Sequence, residues 1–496
     1  MTKILAIDQG TTSTRAIVFN DEAQPIASAQ VELRQHYPQP GWVEHDPLEI
    51  AEAAVDVSKR AVAQAGLAMT DITAVGITNQ RESTVLWERA TGRPLANAIV
   101  WQCRRTAEMC QGLEMRGYGE TVRQATGLVM DPYFSATKLR WLLDSVPGAQ
   151  QRAEAGELCF GTVDTWLMYR LTGGVSHVTD VTNASRTMLL NLYDFEWDPE
   201  MLSLFDVPRE VLPQVLPSAG DFGVTDGDVF GAELPVTGIA GDQHAALYGQ
   251  ACFDSGMAKC TYGTGAFVLT NTGGSPVTSK EGGLLSTAGW QIGARRTYAV
   301  EGSIFSTGAT VLWLRDGLDL ISNATETELL AEEAGDSDGV YFVPAFVGLG
   351  TPHWDASARG AISGLTRGTT RAHIVRAALE STAYQVKDVM DVMDSVAGRR
   401  RHDRPLRADG GQSRNSFLMQ FQADMLDRPV EVSAVQETTA LGAAFLAGRG
   451  AGVWRSESEL AGLWQATERF EPQMGDGKRM TLYAGWLDAV SKTKTR

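Results

Sequence analysis

Asp8-Gln9-Gly10-Thr11-Thr12-Ser13-Thr14 lies between two short apolar runs, at 3–7 and 15–19, and reads as the tip of a β-hairpin. Such a tip displays hydroxyls and backbone amides. The same design recurs far downstream, where Tyr262-Gly263-Thr264-Gly265 separates apolar runs at 257–261 and 266–270. Roughly half the chain lies between Gly10 and Gly263. The repeat predicts an α/β protein of two structurally similar halves, each opening on one of these hairpins. The expected division is 1–250 and 251–496, with a hinge near 249–256.

Composition agrees with an ordinary globular protein with material for large cores and excludes several classes. The 496 residues are 43% hydrophobic and 21% charged, as in ordinary globular proteins, which rules out disorder, collagen-like repeats and small disulfide scaffolds. Sixty acidic against 43 basic side chains give a formal charge of −17, which argues against a broad nucleic-acid footprint. Five cysteines form no CxxC pair and seven histidines no HExxH, so metal-cluster and disulfide readings both fail and reduced thiols are expected. No long apolar run is present, and Asp8 comes too early for a signal peptide. The expected setting is the cytoplasm, without membrane insertion.

Further strands are expected at 72–78 and 339–343. An apolar stripe through Val375, Ala378, Leu379, Thr382, Ala383, Val386, Val389, Met390 and Met393 predicts a core helix over Arg371–Val396. Shorter helices are expected at 135–146 and 415–426.

Two Gly/Thr tips in a duplicated protein suggest a phosphate clamp, because glycine admits close backbone approach and the amides and hydroxyls donate to anionic oxygens. Asp8, at the end of the first strand, suits Mg2+, which prefers a few carboxylates plus phosphate oxygens. No GxxxxGK[ST] occurs, and no GxGxxG follows a strand. Asp221-Phe222-Gly223 spells a kinase tripeptide without the accompanying catalytic loop, a coincidence. Gly410-Gly411 precedes a helix and offers either room for a phosphate or flat ring, or simply a tight connection. Asn79-Gln80-Arg81-Glu82 follows the 72–78 strand, where ligands of open α/β sheets collect. The Arg–Glu pair suits vicinal hydroxyls, although a surface charge pair has the same sequence. Trp101 is either an apolar wall or core. Asp242 is a candidate base for an attacking alcohol, or only the N-cap of the helix that follows. His244 is the alternative base, though a lone helix-borne histidine is more often structural.

These motifs, together with Tyr37-Pro-Gln-Pro-Gly-Trp-Val-Glu-His-Asp-Pro47, Trp101-Gln-Cys-Arg-Arg105, Asp131-Pro-Tyr133-Phe-Ser, Gly161-Thr-Val-Asp-Thr-Trp166, Thr182-Asn-Ala-Ser-Arg-Thr187 and Gly241-Asp-Gln243, resemble the FGGY carbohydrate kinases, and among them those acting on glycerol. The resemblance runs essentially end to end. It implies two actin-like (ribonuclease H-like) domains with a nucleotide and substrate cleft between them, and the reaction ATP + glycerol → sn-glycerol 3-phosphate + ADP. By position it implies Thr11, Thr12, Ser13 and Arg15 on nucleotide phosphates and Asp8 on Mg2+. Arg81, Glu82, Tyr133, Asp242 and Gln243 would hold glycerol, with Asp242 as base and Trp101 and Phe267 as apolar walls. Thr264, Gly308, Gly411 and Asn415 would line the ADP site. The implied partners are glycerol and ATP/ADP, with a homo-oligomer, dimer or tetramer, as the assembly. Leu312 and His244 stand where similar enzymes carry glutamines. The 228–235 segment lacks both the loop that binds fructose 1,6-bisphosphate and the phosphorylated histidine of regulated members, so neither regulation is expected. The alternatives are a kinase of another short polyol or ketose (erythritol, xylulose) and a non-catalytic actin-like module.

Overall fold

The computed structural model describes residues 2–278, 283–396 and 404–495. Thirteen strands form its main sheet. In chain order they are β1 (Lys3–Gln9), β2 (Ser13–Asn20), β3 (Pro25–Glu32), β4 (Ala74–Asn79), β5 (Ala219–Val224), β6 (Pro235–Gly241) and β7 (Ala258–Tyr262). There follow β8 (Ala266–Gly273), β9 (Leu285–Ile292), β10 (Arg295–Ile304), β11 (Leu406–Asp409), β12 (Val430–Ser433) and β13 (Ala466–Phe470). The spatial order is β13-β12-β11-β7-β8-β10-β9-β5-β6-β4-β1-β2-β3.

The duplication is explicit in the pairing. β1 runs antiparallel to β2, β2 antiparallel to β3, and β1 and β6 both run parallel to β4. In the second half β7 runs antiparallel to β8, β8 antiparallel to β10, and β7 and β12 both run parallel to β11. The two blocks meet where β5 and β9 run parallel through a single residue pair, Ala219 with Ile292. Ile4, Leu5, Ala6 and Ile7 of β1 are all buried, as expected of a strand covered on both faces. Both hairpins form where the sequence places them.

The predicted helix over Arg371–Val396 is present, and its apolar stripe feeds the core of the second half. The 135–146 and 415–426 helices span Ser135–Ser145 and Ser416–Leu426. The 339–343 strand shrinks to Tyr341–Val343, because Gly339 takes a positive φ.

One helix crosses the sequence division. Thr438–Gly450, late in the chain, packs on β1, β4 and β6 of the first half and along the Asp242–Gly249 helix. Small residues permit this approach. A Cβ added at Gly76 would lie 2.3 Å from the Ala443 carbonyl oxygen, and one at Gly442 only 1.8 Å from that of Ala245.

Overpacking at this seam should be costly. Gly442→Ala is expected to destabilise by at least about 2 kcal/mol. Gly462→Ala, in the Glu457–Leu463 helix with nothing within 4 Å of the added carbon, should be neutral or stabilising by up to ~1 kcal/mol. Paired thermal unfolding measures the contrast, and equal midpoints would refute it.

Candidate active site

Parallel pairing aligns the carboxyl ends of three strands. Asp8 of β1 lies opposite Thr78, and Gly241 of β6 opposite Asn79, so Asp8, the 79–82 turn and Asp242 gather at one edge. Reciprocal amides of Asn79 and Asn183 brace the turn at 3.0 and 3.1 Å. The Gly241 amide donates to Thr182 Oγ1 (2.9 Å), whose hydroxyl in turn donates to Asp180 (2.8 Å).

Asp242 is the first residue of its helix, and Gly241 is the cap, so the capping role considered for Asp242 does not apply. Its side chain is 31% exposed, and Oδ1 forms an ion pair with Arg81 Nε at 2.9 Å and accepts from the Gln243 amide at 2.6 Å. Arg81 and Glu82 are buried, not a surface pair, and they face different partners. Arg81 Nη1 donates to Glu301 Oε2 (2.5 Å), Arg186 Nη2 to Glu301 Oε1 (3.0 Å), and Arg186 Nε to Glu82 Oε1 (2.6 Å). The result is one chain of alternating charge, Asp242–Arg81–Glu301–Arg186–Glu82. Burial opposes the charge on Glu301, but Arg186 and Arg81 outweigh it and hold the carboxyl down to about 2. At Glu82 burial wins over the same two arginines, and its pKa is raised. Glu82 also has φ near 60°, with the Ser83 amide closing onto the Arg81 carbonyl at 2.7 Å, a strained turn worth roughly 1–3 kcal/mol.

Arg186 and Glu301 went unassigned in the sequence. Arg186 sits inside the quoted 182–187 motif, and Glu301 is a lone acid in the apolar run Ala299-Val300-Glu301-Gly302 of β10. A charge amid an apolar strand was the available signal.

The first hairpin tip joins this edge. Trp101 Nε1 donates to Thr11 Oγ1 at 2.8 Å, and its ring meets Tyr133 edge-on at 5.5 Å. The Tyr133 loop is fixed by buried Lys138, which donates to the carbonyls of residues 132, 133 and 134 at 2.9, 2.5 and 2.8 Å. Thr12 is exposed, and Ser13 partly so. Arg15 binds Gln30 and forms an ion pair with Glu437, at the start of the Thr438–Gly450 helix. Burial, then Asp242 and Glu437, push Asp8 up to about 7, with Arg15 opposing.

A second cluster gathers around the other hairpin. The Thr264 carbonyl accepts from the amides of Thr307 (3.0 Å) and Ala309 (2.9 Å), and that of Gly263 from Gly308 (3.1 Å). Gly308 opens the helix Gly308–Asp316, and a Cβ there would lie 2.5 Å from the Gly263 oxygen and 3.0 Å from Gln412 Nε2. Gly411 starts the short turn after β11. Asn415 caps the next helix, accepting from the Leu418 amide (2.9 Å) and donating to Thr327 Oγ1 (3.3 Å). A cavity of about 410 Å³ opens beyond β11 and β12, lined by Gly411, Arg414, Gln436 and Glu437 among others. Phe267, half-buried on β8, packs against the core between the halves.

His244 is fully buried, contacts Thr287 Oγ1 at 3.2 Å, and is held well below the ordinary histidine range by burial, then Arg81, Arg186 and Lys259. It is structural. Leu312 is exposed on the Gly308–Asp316 helix.

Cutting the ion chain should cost stability. Glu301→Ala leaves two buried guanidiniums short of a carboxylate, an expected loss of about 3–5 kcal/mol. Asp488→Asn removes an exposed pair with Lys492 and should cost under ~1 kcal/mol. Comparable losses in thermal unfolding would overturn this ranking.

Comparison with known proteins places the chain. Models described as the FGGY family of carbohydrate kinases, N-terminal domain and C-terminal domain, match residues 3–249 and 258–451. Glycerol kinase 2 of Thermotoga maritima is 56% identical over 493 residues, covering 99% of each chain. The glycerol kinase of Pseudothermotoga lettingae is 56% identical over 491 residues, covering 99% of this chain and 98% of its own. A crystal structure of Plasmodium falciparum glycerol kinase with ADP superposes with a TM-score of 0.94 at 38% identity, covering 100% of this chain and 99% of that one. The repeated hairpin topology, the clustered strand-end acids and these full-length matches agree: the chain belongs to the FGGY family of carbohydrate kinases.

Proposed function

We propose that the protein transfers the terminal phosphoryl group of ATP to glycerol, giving sn-glycerol 3-phosphate and ADP. The observation carrying this reading is Asp242, partly exposed at the strand ends, with one carboxylate oxygen held by Arg81 and by its own helix. Relatives that match end to end at more than 50% identity bear the name glycerol kinase, which supports the substrate.

Asp242 accepts the hydroxyl proton as the alcohol oxygen approaches phosphorus. The transition state of such a transfer is loose, so the proton can leave late and a carboxylate suffices as base. Arg81 donates to a second hydroxyl, Glu82 accepts from one, and Gln243 adds an amide contact. Trp101, Tyr133 and Phe267 bound the carbon chain and restrict its length. Thr11, Thr12, Ser13 and Arg15 face the nucleotide phosphates from the first hairpin. Thr264, Gly308, Gly411 and Asn415 serve the nucleotide from the second. Arg15 would exchange Glu437 for phosphate oxygens.

The residues fit Mg2+ at Asp8. Its carboxyl is pushed up to about 7 by burial and by Asp242 and Glu437, an excess of negative charge that a divalent cation relieves. Among the described residues no group of three or more ligating side chains gathers, so phosphate oxygens and water would complete the shell. Bound there, Mg2+ would neutralise charge on the transferring phosphates.

Transfer to an alcohol must outcompete water, so the halves are expected to close over both substrates. The bodies proposed to move are 1–250 and 251–496. Among the described residues no helix is long and apolar enough to cross a membrane, and all five cysteines are buried and unpaired, which supports a cytoplasmic setting. Assembly into a homo-oligomer is likewise proposed.

Two measurements test the proposal. A phosphorylation panel over three- to five-carbon polyols and ketoses should favour glycerol, and preference for a five-carbon sugar would transfer the assignment to that substrate. Asp242→Asn should lower kcat by about 10²–10⁴-fold while KM stays within a few-fold. Unchanged turnover would remove Asp242 from its role.

A further inference from the structure

Lys259 lies on β7 with none of its surface exposed, a rare place for an ammonium group. Its Nζ donates to Gln243 Oε1, to Thr261 Oγ1 at 2.8 Å and toward the Phe267 carbonyl at 3.4 Å. Asp409 and Glu301 favour its charge, against burial, which lowers its pKa. Either protonation form keeps an N–H for the glutamine. Gln243 follows Asp242 on a helix that packs against β7 and β8, and it is only 8% exposed. With its amide oxygen taken by Lys259, its NH2 remains as the polar edge, and that nitrogen is not among the buried atoms left without a partner.

We propose that Lys259 is a positioning residue for substrate binding: by occupying Gln243 Oε1 it fixes which end of the amide meets the polyol, making Gln243 a donor beside the acceptor Asp242. The inference rests on the polyol-kinase reading above and deepens it. A glutamine amide has nearly the same shape when flipped, so only its hydrogen bonds decide whether oxygen or NH2 is presented. Were the oxygen presented, two acceptors would stand side by side. With Lys259 in place, a donor and an acceptor alternate. Vicinal hydroxyls, each able to give one hydrogen bond and receive another, match that alternation. Lys259 touches no substrate in this arrangement and acts through Gln243 alone.

Steady-state kinetics with saturating ATP test this on wild type, Lys259→Met, Gln243→Ala, the double variant and Gln243→Glu. Gln243→Ala should raise KM for glycerol about tenfold, the worth of one good neutral hydrogen bond, with kcat within ~3-fold. Lys259→Met should raise KM several-fold, and the double variant should be no worse than Gln243→Ala, because both remove one contact. Gln243→Glu can only accept and should raise KM at least as much as Gln243→Ala. Additive losses, a kcat loss at unchanged KM, or a wild-type KM for Gln243→Glu would each overturn the proposal. Should Lys259→Met fail to fold, Gln243→Glu still decides the donor role. If the wild type prefers another polyol, the same set is run on that polyol, so the substrate reading and the role of Lys259 fail separately.

Discussion

The buried chain of charges Asp242–Arg81–Glu301–Arg186–Glu82 is the constraint on which the rest of the site depends. Each interior carboxylate or guanidinium is tolerable only because its neighbour carries the opposite sign, and an incomplete chain would strand a charge in low dielectric. The chain also couples distant segments. Arg81 and Glu82 leave β4, Arg186 follows a one-turn helix at Val181–Ala184, and Glu301 comes from β10 in the second half. Asp242 ends the chain at its one exposed end. Asp242 is therefore oriented by a series of pairs that reaches across both halves of the fold.

That crossing bears on motion. Breaking a buried pair costs several kcal/mol, so a closure that keeps these pairs and exchanges the exposed Arg15–Glu437 contact is energetically the cheaper route. The Thr438–Gly450 helix, seated on β4 through Gly76 and on the Asp242–Gly249 helix through Gly442, sets the same requirement by packing. Backbone in direct contact leaves no slack for sliding. Rotation about this seam preserves it.

Much of the fold was legible because local signals and tertiary outcome coincide. The two Gly/Thr tips are turns by composition and become hairpin tips, one between Gln9 and Thr14 joining β1 to β2 and one between Tyr262 and Ala266 joining β7 to β8. The stripe from Val375 to Met393 is a helix by periodicity and becomes one. Asp8, Arg81 and Asp242 could be nominated singly, since each ends a recognisable strand. Arg186, Glu301 and Lys259 could not be assigned, because a charge in an apolar strand or a motif interior reveals that it must have a partner but not which one. Arg81 and Glu82 mislead in the opposite sense: adjacent in sequence, they turn to different partners across a strained backbone.

The duplicated hairpins, the strand-end acids and the absence of rival nucleotide motifs are legible in residues close together along the chain. Long-range packing adds that Asp242 is oriented by Arg81, that Glu301 joins the two arginines, that Gln243 is held by Lys259, and that the Thr438–Gly450 helix sits on the first half. Those facts depend on which side chains meet after elements far apart in sequence assemble, strands in parallel among them. Parallel pairing leaves no short-range trace: its hydrogen bonds and buried charges are satisfied only once the whole sheet is assembled.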